Sequence, residues 1–225
     1  FLAGIKDRSY LNAKKFLARV PNYRATKLLG ASRYTDAVTD DTRLVLRVLD
    51  EARNDGAVTI NYVKASKTLI TNNIVSGLQI TDDVTGQSAE IKAKVVVNAT
   101  GAWVNNLRQM MTTDTVEVRP QRGSHLVVSS ERLPLQDALI LFHPDAKRAM
   151  FMYAWEGRTV IGTTDLDHKD NLDNEAVITA EEVVYLLRAA NYEFPQANLT
   201  TKDVIATWSG VRPIVTSGKG LDPSK

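Results

Sequence analysis

The stretch from Lys92 to Trp103, Lys-Ala-Lys-Val-Val-Val-Asn-Ala-Thr-Gly-Ala-Trp, decides how the chain is organised. Its consecutive valines are β-branched and stiff at χ1, which favours a short strand buried on both faces. Small and polar residues follow, and helical spacing resumes after the tryptophan. The stretch therefore predicts a strand, a turn and a helix. Because Ala99, Thr100 and Gly101 carry little side chain, a flat ligand or a phosphate can approach the backbone there, although an ordinary tight turn has the same composition.

Composition limits the classes of protein to which the chain can belong. Its 225 residues suffice for one large or two small domains, and 44% hydrophobic with 24% charged residues is ordinary for a globular protein. A net charge of +2 gives no reason to expect nucleic acid as a partner. The sequence has no cysteine and three scattered histidines, so we expect neither disulfides nor a metal site. It begins with Phe1 and ends in a loop-like stretch, so we expect it to be part of a longer protein.

Patterns in the first half of the chain predict helices and a meander. Helical spacing predicts a helix over Tyr10–Val20, and a short strand is expected at Arg33–Ala37. Thr39 or Asp40 then caps an amphipathic helix that Gly56 ends. Three strand-like segments follow at 58–70, 74–81 and 88–97. An Asn-Asn turn and an Asp-Asp-Val-Thr-Gly turn join them, which predicts an antiparallel meander leading into the opening stretch.

The second half consists mainly of short strand-like segments separated by loops. They lie at 116–129, 138–142, 148–155, 159–163 and 203–215. Thr179 followed by Glu182 forms a capping box, which predicts a helix ending before Pro195. We therefore predict an α+β fold, with the meander in a first domain, residues 1–112. A mostly antiparallel sheet flanked by helices forms the second domain, residues 113–225.

Three segments of the second half carry side chains that suit a ligand site: residues 121–125, 162–165 and 208–213. Arg212 lies between a glycine and a proline, and a guanidinium held in this way can bind a phosphate or a carboxylate with two hydrogen bonds. Each segment also has a plainer interpretation. His125 can be a hydrogen-bonded structural histidine, Asp165 a turn or cap residue, and Arg212 a structural ion-pair partner. The sequence has no arrangement typical of hydrolases and no Gly-x-Gly-x-x-Gly motif.

Taken in order, six segments between residues 35 and 215 resemble the FAD-dependent, respiratory glycerol-3-phosphate dehydrogenases. These segments are Thr39–Leu44, Ala57–Lys64, Ala93–Val104, Arg122–Val128, Ile161–Asp165 and Trp208–Pro213. Each motif alone is weak, whereas the series in register is specific. The resemblance implies an FAD-linked reductase-type fold, in which residues 1–112 are part of the FAD-binding domain and residues 113–225 part of the substrate-binding domain.

The resemblance also implies which residues contact the cofactor. Val63 and Lys64 match the family segment whose backbone faces the adenine of FAD. Ala99, Thr100 and Gly101 match the turn beside the diphosphate and ribose of FAD. We therefore expect these five residues to bind the cofactor in the whole protein.

In the second domain the resemblance implies a substrate site. Arg212 matches the arginine that binds the substrate phosphate near the flavin, and His125, Thr163 and Thr164 match motif positions on the active-site side. We expect Arg212 and His125 to be catalytic. We expect Arg212, Thr163 and Thr164 to bind the substrate.

The implied reaction is hydride transfer from C2 of sn-glycerol 3-phosphate to FAD, which gives dihydroxyacetone phosphate. Electrons then pass to quinone, or to oxygen in an oxidase relative, and a close analogue of the substrate is a further alternative. The family works as a peripheral protein on the cytoplasmic, inner face of the cell membrane, and a homodimer is compatible with the resemblance. Because the dinucleotide-binding motif and the C-terminal FAD loop of the family lie outside this sequence, we expect the isolated chain to bind no FAD and to be inactive.

Two further interpretations do not require an enzyme. The chain can be a stand-alone binding or regulatory module that holds an anion with Arg122, Arg148 and Arg212. It can also be an interaction domain without a ligand. A Gly-x-Gly-x-x-Gly motif upstream of Phe1 in the parent reading frame would favour the enzyme hypothesis over both alternatives.

Overall fold

The computed structural model describes residues 7–108 and 117–216, which fall into two units. The sheet unit comprises residues 7–35 and 118–216, and the meander unit comprises residues 36–108 and 117. The strands and α-helices, in chain order, are β1 (Arg8–Asn12), α1 (Ala13–Arg19), β2 (Gly30–Tyr34), α2 (Asp41–Asn54), β3 (Val63–Thr71), β4 (Ile74–Asp82), β5 (Ser88–Lys92), α3 (Val104–Arg108), β6 (Glu117–Ser129), β7 (Leu139–Phe142), β8 (Ala149–Trp155), β9 (Arg158–Gly162), β10 (Leu166–Asp167), α4 (Ala180–Glu193) and β11 (Val204–Thr216). Antiparallel sheets with few helices confirm the predicted α+β class.

The sheet unit is built around β6. The order β10-β6-β9-β8-β7 is antiparallel throughout, and β11 also pairs with β6. A separate antiparallel pair, β1 and β2, precedes this sheet along the chain. Because β6 has β9, β10 and β11 as neighbours, residues of those three strands and the segment between β9 and β10 lie beside it.

The hydrophobic core of the sheet unit follows from period-two alternation in its strands. Leu126 and Val128 of β6 are fully buried, and the residues between and beside them are less so. Such alternation places one apolar face of a sheet against covering helices. Here the cluster joins the strands to Phe16 of α1 and to Leu186 and Leu187 of α4.

The meander unit contains the predicted three-stranded meander. β3, β4 and β5 pair in sequence as antiparallel neighbours, and an Asn72-Asn73 turn with positive φ at both residues joins the first two. The helix that precedes it is capped by Asp40, whose side chain accepts a hydrogen bond from the Arg43 N–H at 3.0 Å. Gly56 follows the helix with φ +90°, as expected for a helix stop. The strand order, the Asn-Asn turn, the cap and the helix stop are confirmed, whereas the first strand, predicted from residue 58, begins at Val63.

The prediction for the valine run is wrong. β5 ends at Lys92, residues 93–100 form no regular strand, and Val95 and Val97 are 76% and 80% exposed. The ladder with β4 stops where the Ala93 N–H donates to the Ser76 carbonyl. A β-branched run becomes a strand only where a neighbour supplies backbone partners, and no backbone hydrogen bond from the described residues reaches Val95, Val96 or Val97.

The predicted first helix is also partly wrong. Tyr10 and Leu11 pair with β2 instead of starting the helix. The helix begins after Asn12, whose side chain accepts a hydrogen bond from the Lys15 N–H at 2.9 Å. The strand predicted at Arg33–Ala37 lies earlier, as β2. The Asn12 cap sets the start of the helix, which helical spacing alone placed too early. Pairing with β1 sets the bounds of β2.

The assignment of residues 1–112 and 113–225 to cofactor and substrate domains stays a prediction. The structure groups residues 7–35 with residues 118–216, so the first segment belongs to the same unit as the six-stranded sheet.

Candidate active site

The three candidate segments of the second half meet at β6. Arg122 lies opposite Leu166 of β10, and His125 lies opposite Gly162 of β9. Gly123 lies between them, and a Cβ atom there would stand 2.5 Å from Nη2 of Arg212 and 2.7 Å from Oγ1 of Thr163. The glycine therefore creates the space in which the arginine and the threonine approach the strand.

Arg212 is held from one side and open to solvent on the other. Its Nη2 donates a hydrogen bond to the Thr164 carbonyl at 3.2 Å and lies 3.9 Å from Oδ1 of Asp165. The side chain is 47% exposed. Among the described residues, Arg212 has no further hydrogen bond or ion pair, so the remaining N–H groups of its guanidinium are available to a ligand.

Asp165 links two arginines. Its carboxylate forms a close ion pair with Arg148, and Nη1 of Arg148 also donates to the Asp165 carbonyl at 3.3 Å. Arg212 is the more distant partner of the same carboxylate. Two guanidinium groups around one carboxylate leave a net positive charge, which favours an anionic ligand such as a phosphate.

His125 is packed against an indole and is neutral at neutral pH. Its ring stacks on Trp208 with 4.8 Å between ring centroids and 13° between planes. On β9, a Cβ atom at Gly162 would lie 2.0 Å from Cδ2 of His125, so only a glycine fits beside the ring. Burial, and then the positive charge of Arg212, lower the pKa of His125 to about 4. A neutral imidazole next to an anion site can accept a proton from a bound ligand.

The buried Nδ1 atom of His125 has no hydrogen-bond partner within residues 7–108 and 117–216. Buried polar atoms are usually paired, and an unpaired one costs about 1–3 kcal/mol. His168 also has unpaired buried ring nitrogens, so this feature is not unique to His125, and the catalytic role of His125 stays a prediction.

The two threonines after β9 have different environments. Thr163 is partly exposed, and its hydroxyl donates to the Thr164 carbonyl at 3.1 Å. The hydroxyl of Thr164 is buried: it donates to Glu182 at 2.6 Å and accepts from the Ser124 N–H at 2.9 Å. Thr164 therefore contributes its carbonyl oxygen to the side on which Arg212 lies. The substrate-binding role of both threonines stays a prediction.

Sequence reasoning found Glu182 only as a helix-cap residue and missed its wider contacts. Its carboxylate accepts hydrogen bonds from Ser124 and Thr164 and pairs with Arg122 at 3.0 Å, although the residue is only 2% exposed. Burial by itself raises the pKa of Glu182, but hydrogen bonds from Thr164, the Thr179 backbone, Ser124 and Arg122 outweigh it, and the net pKa is lowered. No local signal marked these contacts, because Arg122, Ser124 and Thr164 are all distant from Glu182 in sequence, Ser124 by 58 positions.

Arg122 is a buried ion-pair residue. Its side chain is 9% exposed and pairs with Glu182 and, at 3.6 Å, with Asp170. Arg148 is likewise committed to Asp165. The alternative of an anion-binding module requires Arg122, Arg148 and Arg212 to bind one ligand together. Of the three, Arg212 has the most exposed side chain.

The predicted cofactor segments lie in the meander unit. Val63 and Lys64 begin β3, and α3 packs against that strand. Asn98 shapes the small-residue turn: its Oδ1 accepts from Oγ1 of Thr100 at 2.8 Å and its Nδ2 donates to the Val104 carbonyl at 3.0 Å. The turn continues into a single 3₁₀ turn before α3.

The turn fits close approach by a ligand. Gly101 has φ +55°, and nothing lies within 4 Å of the place where a Cβ atom would be. Ala99 is exposed. An open backbone formed by small residues is what a diphosphate or ribose of FAD needs. Within the described ranges, no group of His, Asp and Glu side chains is arranged to hold a metal ion, and no helix is long and apolar enough to cross a membrane.

Comparisons with known proteins show which proteins the chain is similar to. The family model described as FAD dependent oxidoreductase matches residues 2–223. The chain is 36% identical over 229 aligned positions to the aerobic glycerol-3-phosphate dehydrogenase of Bacillus subtilis (strain 168) and 35% identical to that of Staphylococcus aureus (strain USA300). Each alignment covers 100% of this chain and 41% of the relative, so the chain spans about two fifths of the length of these relatives.

Solved structures show the same likeness. The glycerol-3-phosphate dehydrogenase from Bacillus halodurans complexed with FAD superimposes with a TM-score of 0.85 at 36% identity, over 92% of this chain and 42% of that one. The L-α-glycerophosphate oxidase from Mycoplasma pneumoniae with FAD bound shares the fold at 18% identity, with a TM-score of 0.75 over 95% of this chain and 54% of that one. With a family model that matches nearly its whole length, the chain belongs to the FAD-dependent oxidoreductases.

Proposed function

We propose that the chain supplies the substrate site and part of the FAD site of an enzyme that oxidises sn-glycerol 3-phosphate to dihydroxyacetone phosphate. The observation that carries this proposal is a half-exposed Arg212 beside a neutral His125. Relatives of the same family that are 35–36% identical are named aerobic glycerol-3-phosphate dehydrogenases, which points to the substrate. The site chemistry agrees, since this substrate combines an anion with an alcohol.

Arg212 binds the phosphate of the substrate in this proposal. A guanidinium donates two parallel hydrogen bonds to phosphate oxygens, and such charge-assisted bonds are about twice as strong as neutral ones. The Thr164 carbonyl and the Asp165 carboxylate hold the guanidinium in one orientation, which reduces the entropy lost when the substrate binds. In this proposal Thr163, a partly exposed residue whose hydroxyl lies beside Gly123 together with Arg212, binds the substrate next to the arginine.

His125 accepts the proton of the C2 hydroxyl. Oxidation of that carbon removes a hydride and a proton, and when FAD is bound it is the hydride acceptor. The lowered pKa keeps the imidazole unprotonated at neutral pH, so a lone pair is available on one ring nitrogen. Stacking on Trp208 fixes the plane of the ring, which keeps that nitrogen in one direction.

Val63 and Lys64 contact the adenine of FAD, and Ala99, Thr100 and Gly101 contact its diphosphate and ribose in this proposal. The open turn around Gly101 supports this assignment. We extend the proposal to quinone as electron acceptor, to a peripheral position on the inner face of the cell membrane and to a homodimer. These follow from the family resemblance and need direct measurement on the whole protein.

The test uses the full-length protein, with a quinone analogue or oxygen as acceptor. We expect Arg212→Ala to lower kcat/KM for glycerol 3-phosphate by about 2–4 kcal/mol of transition-state stabilisation, because a charge-assisted phosphate contact is lost. The matched control is Arg132→Ala, since Arg132 is also 47% exposed and ion-paired, to Asp203 at 2.7 Å. The control should keep wild-type kinetics.

Two results would contradict the proposal. A wild-type protein that reduces neither acceptor with glycerol 3-phosphate removes the substrate assignment. Equal kinetics for the Arg212 and Arg132 variants remove Arg212 from the phosphate site. Hydrogen peroxide produced at the rate of substrate oxidation would instead replace quinone by oxygen as the acceptor.

A further inference from the structure

A single buried carboxylate joins three segments behind the proposed substrate site. Oε1 of Glu182 accepts hydrogen bonds from Ser124 Oγ at 2.8 Å and from Thr164 Oγ1 at 2.6 Å. Its Oε2 accepts from the Thr179 N–H at 2.9 Å and pairs with Nη2 of Arg122 at 3.0 Å. Both oxygens of a carboxylate that is almost fully buried are therefore occupied twice.

Helix capping explains only one of these four contacts. The capping box requires the bond from the Thr179 N–H and nothing more. The other three donors belong to β6 and to the segment after β9, outside the helix that carries Glu182. A buried charge is expensive unless its partners satisfy it, and an exposed cap would avoid that cost.

The contacts continue towards Arg212. Two hydrogen bonds also join Ser124 and Thr164 directly. The Ser124 N–H donates to Oγ1 of Thr164 at 2.9 Å, and the Thr164 N–H donates to the Ser124 carbonyl at 3.3 Å. The Thr164 carbonyl then accepts from Arg212. Ser124 Oγ also contacts Oγ of Ser209 at 2.8 Å, and Ser209 follows the tryptophan that stacks on His125.

We propose that Glu182 is a positioning residue for the phosphate-binding arginine. It fixes Thr164 against β6, so that the Thr164 carbonyl holds the guanidinium of Arg212 where a phosphate is bound. Glu182 itself contacts no ligand. The kinetic part of this proposal rests on the proposed function, whereas the structural part does not.

Glutamine at position 182 is the informative change. An amide keeps the size of the side chain but removes the charge that pairs with Arg122. Its nitrogen is a donor, so either the Thr179 N–H and Arg122 lose their acceptor, or the hydroxyls of Ser124 and Thr164 must turn to accept weaker, neutral hydrogen bonds. We expect Glu182→Gln in the full-length protein to raise KM for glycerol 3-phosphate about tenfold or more, as for loss of a hydrogen bond to a charged group, with a smaller change in kcat.

Two control variants separate positioning from capping. Thr179→Ala removes the hydroxyl that caps α4 but leaves the bonds from Ser124 and Thr164 to Glu182 intact. Glu181→Gln removes a neighbouring, exposed carboxylate of the same helix turn. Neither variant should change KM. If Thr179→Ala raises KM as much as Glu182→Gln does, Glu182 acts only as a cap and the proposal is overturned.

Amide hydrogen exchange in the same variants supplies a readout that does not depend on activity. Glu182→Gln should speed exchange at the Ser124 and Thr164 amides, and the two control variants should not. Unchanged exchange at both amides overturns the proposal. A wild-type protein without activity on glycerol 3-phosphate would remove the proposed function, while exchange would still decide the role of Glu182. If Glu182→Gln does not fold, Ser124→Ala replaces it, and an unchanged KM and unchanged exchange in that variant overturn the proposal.

Discussion

Helices α2 and α4 have the same length and similar local signals, yet only one of them is buried. Both have 14 residues and a side-chain cap, Asp40 for α2 and Thr179 for α4. Leu186 of α4 is fully buried in the core of the sheet unit. No residue of α2 is buried, and Leu44 on its apolar face is 53% exposed. Caps and periodicity therefore define a helix locally, whereas burial depends on what packs against it.

The difference extends to the two units as wholes. The core cluster that joins strands and helices lies in the sheet unit. In the described part of the meander unit, the buried apolar side chains are Ala102 and Leu107, beside the small-residue turn. The sheet unit thus has the apolar burial that stabilises a fixed site, and the meander unit relies mainly on strand pairing.

The largest expected effect tests this difference in burial. Leu126→Ala removes a fully buried side chain from the core and should lower the free energy of unfolding of the chain by about 2–5 kcal/mol. Leu44→Ala makes the same chemical change on α2, where we expect a change within about 0.5 kcal/mol. Urea unfolding followed by circular dichroism measures both. A cost for Leu44→Ala as large as for Leu126→Ala would show that the face of α2 is buried in solution.

Two glycines sharpen the comparison, because each unit uses glycine for a different physical reason. Gly101 in the meander unit has φ +55° with open space around it, so Gly101→Ala should cost about 1–2 kcal/mol of stability through backbone strain. Gly123 in the sheet unit has no such φ, but its missing Cβ makes room for Arg212 and Thr163. Since the guanidinium is the flexible end of a side chain and the hydroxyl of Thr163 can rotate about χ1, both can move away from an added methyl group, and Gly123→Ala should cost little stability.

The kinetic consequence separates the two glycines. In the full-length protein, displacement of Arg212 by Gly123→Ala should raise KM for glycerol 3-phosphate by about tenfold, the equivalent of about 1.4 kcal/mol. Urea unfolding and steady-state kinetics on both variants give the full comparison. A Gly123→Ala protein with wild-type KM would mean that the approach of Arg212 to β6 is not needed for substrate binding.

Local chemistry explains what the sequence could predict. Asp40 and Thr179 are caps whose partners lie three residues away, and the turns of the meander depend on adjacent residues. These features appear in the structure where the sequence indicated them. The valine run at 95–97 has the composition of a buried strand, but pairing partners decide strand formation, and composition does not reveal them.

The candidate site divides in the same way. The motifs at residues 208–213 and 121–125 marked Arg212 and His125 as candidates. Both have glycine or proline close by in the sequence, and such neighbours are visible without a structure. The neutral state of His125 was not predictable, since it depends on burial and on Arg212, which is distant in sequence. Glu182 was visible only as a cap, because its partners Ser124 and Thr164 come from other strands and loops.

The smallest expected effect concerns pH and again distinguishes the units, because all three histidines of the chain lie in the sheet unit. The pKa of His125 is lowered from an ordinary value of 6.5 to about 4, and burial lowers the pKa of His143 as well. Between these pH values the unfolded chain binds more protons than the folded unit. The histidine contribution to stability is therefore complete above about pH 6.5 and is lost as the pH falls towards about 4.

Urea unfolding of the chain between pH 7.5 and pH 4.5, followed by circular dichroism, measures this dependence. We expect His125→Asn to reduce the slope of stability against pH without abolishing it, because His143 keeps its own contribution. An unchanged slope would mean that the pKa of His125 is not lowered in the folded unit. Much of its imidazole would then be protonated near pH 6, which would contradict its proposed role as proton acceptor.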